Sequence, residues 1–244
     1  MRTWEFSPAE VYKSGGTTKP VGAIIDLTNG RPGTYTTSLI YIVSADRVNP
    51  VDLAQITGAY EAQDGDILTG TAGSSGIHIT VAAGAAITLK DATIMSIPND
   101  ESRKWAGITP LGDATIILEG TNTFKGGYGD YPGIFISPDH TLTIKGTGSL
   151  TASSNGYAAG IGGGWEISCG NIRIEGGIIT ATGGNDAAGI GGGYEASCGN
   201  ITITSGVTSV TAAKGEDAPN SIGAGKDGSC GTVTIAPGAN VIQN

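Results

Sequence analysis

From Ala158 the chain reads AAGIGGGWEISCGNIRIEGGIITATGG, and twenty-nine residues later, from Ala187, it reads AAGIGGGYEASCGNITITSGVTSVTAA. A single irregular core has no use for such a near-copy, whereas stacked units require one, because each unit buries its apolar side only against its neighbours. The repeat extends beyond these two copies. A strand-like tetrad recurs as AITL at 86–89, TIIL at 115–118, TLTI at 141–144, NIRI at 171–174, NITI at 200–203 and TVTI at 232–235. Its starts lie 29, 26, 30, 29 and 32 residues apart. A Gly-Ile pair precedes each tetrad, at Gly76-Ile77, Gly107-Ile108, Gly133-Ile134, Gly160-Ile161 and Gly189-Ile190, with Ser221-Ile222 as a worn copy. A third segment follows each of the first five: ATIM, NTFK, SLTA, IITA and SVTA.

Three short strands per unit, parted by Gly-, Asn- and Asp-rich corners, stack into parallel ladders whose inward side chains fill a common axis. The expected fold is all-β: a single-stranded right-handed parallel β-helix, or solenoid, of about six coils. The handedness follows from the usual sense of parallel crossovers. Period-two alternation points Ile87, Leu89, Ile116, Leu118, Leu142, Ile144, Ile172, Ile174, Ile201, Ile203, Val233 and Ile235 inward. It points Thr88, Ile117, Thr143, Arg173, Thr202 and Thr234 outward. Glycine is 42 of the 244 residues, and the triplets 162–164 and 191–193 fall where backbones must turn in close contact. Asn171 and Asn200 open equivalent strands and are expected to stack as a short amide ladder.

Residues 1–56 do not scan with the repeat. They are expected to form a β-rich N-terminal cap, with strands in GAIIDLT and SLIYIVS, or to be the remnant of a neighbouring domain; residues 57–244 form the β-helix.

The coils at 158–204 resemble the Gly-rich parallel β-helix repeat regions of secreted and surface proteins of gut Bacteroides-like bacteria, regions often labelled carbohydrate-binding. The resemblance is strongest over Thr141–Ile203 and extends from about Tyr60 to Ile235. It implies a β-helix in a secreted or cell-surface, adhesive setting, with a glycan or surface polysaccharide as partner. It brings no catalytic residues.

Composition narrows the partners further. With a formal charge of −9 and a pI near 4.6, the surface repels a phosphate backbone, so nucleic acid is not expected. No apolar run reaches the roughly eighteen residues of a membrane span. The start MRTWEFSPAEVYKSGG lacks the pattern of a signal peptide.

A polysaccharide-cleaving solenoid needs clustered carboxylates. Single corner acids such as Asp91, Asp113, Glu119 and Glu175 do not make that cluster, so no catalytic residue is assigned and the chain is read as non-enzymatic. Asp64-Gly65-Asp66 and Asn99-Asp100-Glu101 are the candidates for calcium. They are read as solvated turns, so no metal or cofactor is expected. His78 and His140 are read as surface residues without ligand partners. Cys169, Cys198 and Cys230 recur at the period and are expected to stack as a buried ladder of free thiols. Thr151, Thr180 and Thr211 share an outward position, but Met95 and Lys125 precede them, which argues against an ice-binding plane.

The candidate ligand site is a corner that recurs four residues after Gly-Ile: Trp165-Glu166, Tyr194-Glu195 and Lys226-Asp227. Rings on adjacent coils offer faces to sugars, and the acids accept from hydroxyls. Trp165, Glu166, Tyr194 and Glu195 are therefore the expected binding residues of an extracellular recognition surface. The rival readings are a phage tail-fibre or tailspike module, located in the virion; a polysaccharide lyase or glycoside hydrolase; and a passive structural stalk.

Overall fold

The computed structural model describes residues 49–72, 77–95, 104–127 and 130–244, together with the backbone of 12–14 and 17–19. The chain divides into two compact units, Met1–Arg47 and Val48–Asn244. The described part of the first is an antiparallel pair, Tyr12–Ser14 with Thr17–Lys19. The runs GAIIDLT and SLIYIVS, and with them the proposed cap, lie outside the described residues.

The second unit is a parallel β-solenoid of about five turns, close to the six coils expected. Its ladder begins with Asn49–Asp52, which pairs in parallel with Asp66–Thr71, ahead of the 56/57 boundary read from the repeat. Each full coil contributes three strands. One face stacks Ala114–Glu119, Thr141–Gly146, Asn171–Ile174, Ile201–Ile203 and Val233–Ile235. A second face stacks Thr121–Lys125, Ser149–Ser153, Ile178–Thr182, Ser209–Ala213 and Val241–Gln243. The long strand Ala86–Ile94 belongs to both and joins them. The Gly-Ile beats form the third face, where Ile134, Ile161, Ile190 and Ile222 pair coil to coil and Ile108 bridges to Ile134.

The register corrects one spacing. Matching TIIL to TLTI would pair Ile116 with Leu142, but Ile116 pairs with Ile144 and Ala114 with Leu142. A two-residue slip keeps every side chain on its face, so the apolar pattern does not choose between the two registers. The corner does. Asp113 Oδ1 accepts the Thr141 backbone N–H at 2.7 Å, as Asn171 Oδ1 accepts that of Asn200 and Asn200 Oδ1 that of Thr232, each at 2.8 Å. The expected amide ladder is thus a ladder of side-chain oxygens on the next coil's backbone. Asp113 starts a coil as the asparagines do.

The slip also moves the threonines. Thr93, Thr123, Thr151, Thr180 and Thr211 are in register on the second face. Met95 and Lys125 lie two residues beyond Thr93 and Thr123, beside this column rather than in it, and exposed Ile178 flanks its other side. The plane is interrupted at its margins.

Inward residues from Ile87 to Ile203 are fully buried, as alternation requires. Val233 and Ile235 are not: they are 38% and 37% exposed, because the described chain places no further coil over them. Asn122 is a polar residue at an inward position. It pairs in register with Leu150, yet it is fully buried. It accepts the Ala92 N–H at 3.0 Å and donates to Glu119 O and Ser149 O at 2.9 and 3.0 Å, so its polar atoms are matched.

The glycine triplets are explained by contact. Gly162, Gly191 and Gly223 have φ of 137°, 130° and 130°, and a Cβ on Gly162 or Gly191 would stand 2.0 Å from the next coil's carbonyl oxygen.

The cysteines depart from the expected ladder of three thiols. Cys198 and Cys230 form a disulfide, and Cys169 is free and buried. Stacking at the period does not keep them as thiols. It brings these Cα atoms to 4.4 Å, within the span a disulfide tolerates.

Candidate functional site

The expected binding corner is built by a repeated tight turn. Gly164 and Ile167 bridge its two arms, and Trp165-Glu166 forms its tip. Glu166, Glu195 and Asp227 occupy the same position in successive coils, with φ of 54°, 52° and 58°. The acid therefore sits at the left-handed residue of the turn, which Asp and Asn tolerate best and Glu less readily. The neighbouring Trp165, Tyr194 and Lys226 form a column. Their N–H groups donate to Asp130 O, Tyr157 O and Asp186 O at 3.0, 2.9 and 2.8 Å, so a second column faces the first.

The rings meet through that second column. Tyr157 packs on Trp165 with centroids 5.4 Å apart and on Tyr194 at 5.9 Å, tilted by 48° and 45°. Tyr157 stands between Trp165 and Tyr194, which gives a file of three rings. Trp165 is 39% and Tyr157 37% exposed, so the file presents ring area to solvent. Tyr157 was missed because it lies before Gly-Ile. It precedes Gly160 by three residues, as Asp130 precedes Gly133 and Asp186 precedes Gly189, and that spacing identifies it.

Charges close the far end of the file. Lys226 Nζ lies 5.9 Å from the Tyr194 ring centroid and donates to Asp186 Oδ1 at 2.9 Å, with Asp217 Oδ2 at 3.8 Å. The hydrogen bond to Asp186 holds the Lys226 ammonium above its ordinary range, against desolvation. The Tyr194 phenol is also raised, first by its hydrogen bond to the Glu195 carboxylate and then by that carboxylate's charge. Glu166 projects from an exposed turn and Glu195 is engaged by Tyr194.

An open groove of about 210 Å³ adjoins the same turn. Gly164 and Ile167 form one wall; His78, Trp105, Tyr131 and Phe135 supply rings, and Lys104 a charge. His78 departs from the expected solvated histidine. Its ring stacks on Trp105 at 5.1 Å and 29°, and burial lowers its pKa. Trp105 is itself held by its Nε1–H, which donates to Ile77 O at 2.9 Å. Asp130, whose carbonyl anchors Trp165, has its carboxyl raised by desolvation and partly restored by Lys104. The repeat pattern did not reveal this groove, because its rings come from different offsets in several coils.

The acidic corner at 64–66 is structural. Asp66 is buried and accepts from Asn49 Nδ2, Tyr60 Oη and Gln63 N at 3.2, 2.7 and 2.8 Å, rather than being solvated. Asp64 Oδ1 accepts the Ala86 N–H at 2.8 Å. Asn99-Asp100-Glu101 lies outside the described residues. Among the described residues, no three His, Cys, Asp or Glu side chains converge as metal ligands. His140 Nδ1 lies 3.7 Å from Asp113 Oδ1, at the coil-start anchor.

No protein-family model, curated protein or solved structure matches the chain. Among the described residues, no helix is long and apolar enough to cross a membrane.

Proposed function

We propose that the Val48–Asn244 solenoid is a non-enzymatic recognition module that binds glycan chains in an extracellular setting. The observation that carries this reading is the file Trp165–Tyr157–Tyr194, two exposed rings and one half-buried ring held on adjacent coils by backbone hydrogen bonds. Pyranose rings lay their C–H faces on such aromatic surfaces, and hydroxyls bond to nearby polar groups. Glu166 is placed to accept from them. The ring-lined groove beside the same turn extends the surface, so that a chain of several sugars has two adjoining places to rest. Two carboxylates near the corner are engaged in structure, Asp186 with Lys226 and Glu195 with the Tyr194 hydroxyl, while Glu166 faces solvent. That arrangement supports binding rather than acid–base work. The disulfide Cys198–Cys230 supports an oxidising compartment.

Each stacked sugar contributes only about 1 kcal/mol, so useful affinity comes from several contacts along one chain or from many copies on one surface. A glycan array with the full chain, with Trp165→Ala/Tyr194→Ala and with Trp105→Ala tests the reading. Binding by the wild type that is lost in the double variant and weakened in Trp105→Ala is expected. Binding unchanged in the double variant, or none by the wild type, rejects it.

A further inference from the structure

The three cysteines stand in one column. Cys169 N–H donates to Ser197 O and Cys198 N–H to Ser229 O, at 2.9 and 2.8 Å. Gly199 N–H donates to Cys169 O and Gly231 N–H to Cys198 O, at 3.1 and 2.9 Å. Cys169 is therefore related to Cys198 by the same backbone hydrogen bonds that relate Cys198 to its bridged partner Cys230. The side chains of the first two also share one orientation. Cys169 Sγ lies 3.4 Å from Gly191 O and Cys198 Sγ 3.4 Å from Gly223 O, and these glycines are register partners. The free thiol thus stacks on the Cys198 side of the bridge, opposite Cys230. Displacement at a disulfide sulfur proceeds by a thiolate attacking one sulfur as the other leaves.

We propose that this column is a thiol–disulfide exchange site, in which the bridge migrates from Cys198–Cys230 to Cys169–Cys198 and leaves Cys230 as a thiol open to modification by small thiol-reactive molecules. The step is balanced within the chain. Cys169 gives up its proton, its thiolate attacks Cys198 Sγ, the new S–S bond forms as the old one breaks, and the electron pair departs on Cys230 Sγ, which is then protonated. Cys169 is oxidised and Cys230 reduced, so no external oxidant takes part. Cys198 serves in both bridges. The thiols differ in surroundings: Cys169 is 4% exposed, whereas Cys230, in the terminal described coil, is only partly buried. Burial pushes the Cys169 thiol up to about 12, which keeps the attacking thiolate scarce and the exchange slow.

The test uses the full chain prepared without reductant, incubated with iodoacetamide in mildly alkaline buffer, then digested and mapped by mass spectrometry. The expected product carries the alkyl group on Cys230 together with a Cys169–Cys198 cross-linked peptide. Both disappear in Cys169→Ser. Label confined to Cys169 with Cys198–Cys230 intact, no label at all, or three free thiols at the outset would overturn the proposal. Cys230→Ser gives an independent reading: mild oxidation is expected to form Cys169–Cys198, and two thiols that stay free would show that the column does not bring them within reach.

Discussion

The side chain of Asn171 holds the next coil of the solenoid: its Oδ1 accepts the backbone N–H of Asn200 at 2.8 Å. Asp113 does the same for Thr141, and Asn200 for Thr232. Apolar alternation fixes which face is buried but not the two-residue register, so these oxygens are what select it. Replacing Asn171 or Asp113 with alanine removes one such bond and leaves a backbone donor to find water. A loss of about 1 kcal/mol is expected for each, read from the urea midpoint. No change in either variant would show that the corner contributes nothing to stability.

Burial along the axis predicts a gradient. Ile203 is fully buried, whereas Ile235, its register partner in the terminal described coil, is 37% exposed. Ile203→Asp places an unpaired charge in the core and should cost several kcal/mol; Ile235→Asp should cost distinctly less. Thr202→Asp points outward beside its register partner Arg173 and should be nearly silent. Thermal unfolding of the three variants checks the order. Equal losses at Thr202 and Ile203 would reverse the face assignment.

What the sequence made legible was whatever repeats with a fixed period. The coils, the faces of Ile174 and Ile203, and the turn that carries Trp165 and Tyr194 all follow from alternation and spacing. Tyr157 recurs too, but its equivalents are Asp130 and Asp186, and a column that changes chemistry from coil to coil is not visible as a column of rings. The Trp105–His78 stack is less legible still, since it joins different offsets in neighbouring coils. The period shows that Cys169, Cys198 and Cys230 stack but not which of them bond, whereas the structure brings Cys198 and Cys230 to a Cα separation that a bridge spans.

Glycine at the Gly-Ile corner predicts a sharp local effect. A Cβ on Gly191 would stand 2.0 Å from Gly223 O, and the residue's φ is 130°. Gly191→Ala therefore meets both backbone strain and a clash with the next coil, and a loss of roughly 2–4 kcal/mol is expected. Gly84 isolates the first cause. Its φ is 78°, but nothing lies within 4 Å of its added Cβ, so Gly84→Ala should cost about 1–2 kcal/mol. Comparing the two by chemical denaturation separates coil contact from dihedral preference; an equal cost would remove the contact from the account.

Acid should weaken the fold through His78. Its ring lies on Trp105, and burial holds its pKa below the ordinary value near 6.5. As pH falls, the unfolded chain takes up the His78 proton near that ordinary value, while the folded site resists until lower pH. The unfolded state thus binds more protons in this window, and stability falls with pH. The contribution of neutral His78 is fully present above the ordinary value. It is lost as pH drops through that value, and the loss levels off once the folded site also protonates. The size is modest, because the ring is only partly withdrawn from water. Urea midpoints measured across the histidine range should decline on acidification in the wild type and decline less in His78→Gln. Tryptophan fluorescence should titrate with a midpoint below the ordinary histidine value and lose that transition in the variant. A wild-type midpoint at or above the ordinary value would mean that the ring is solvated and that Trp105 does not cover it.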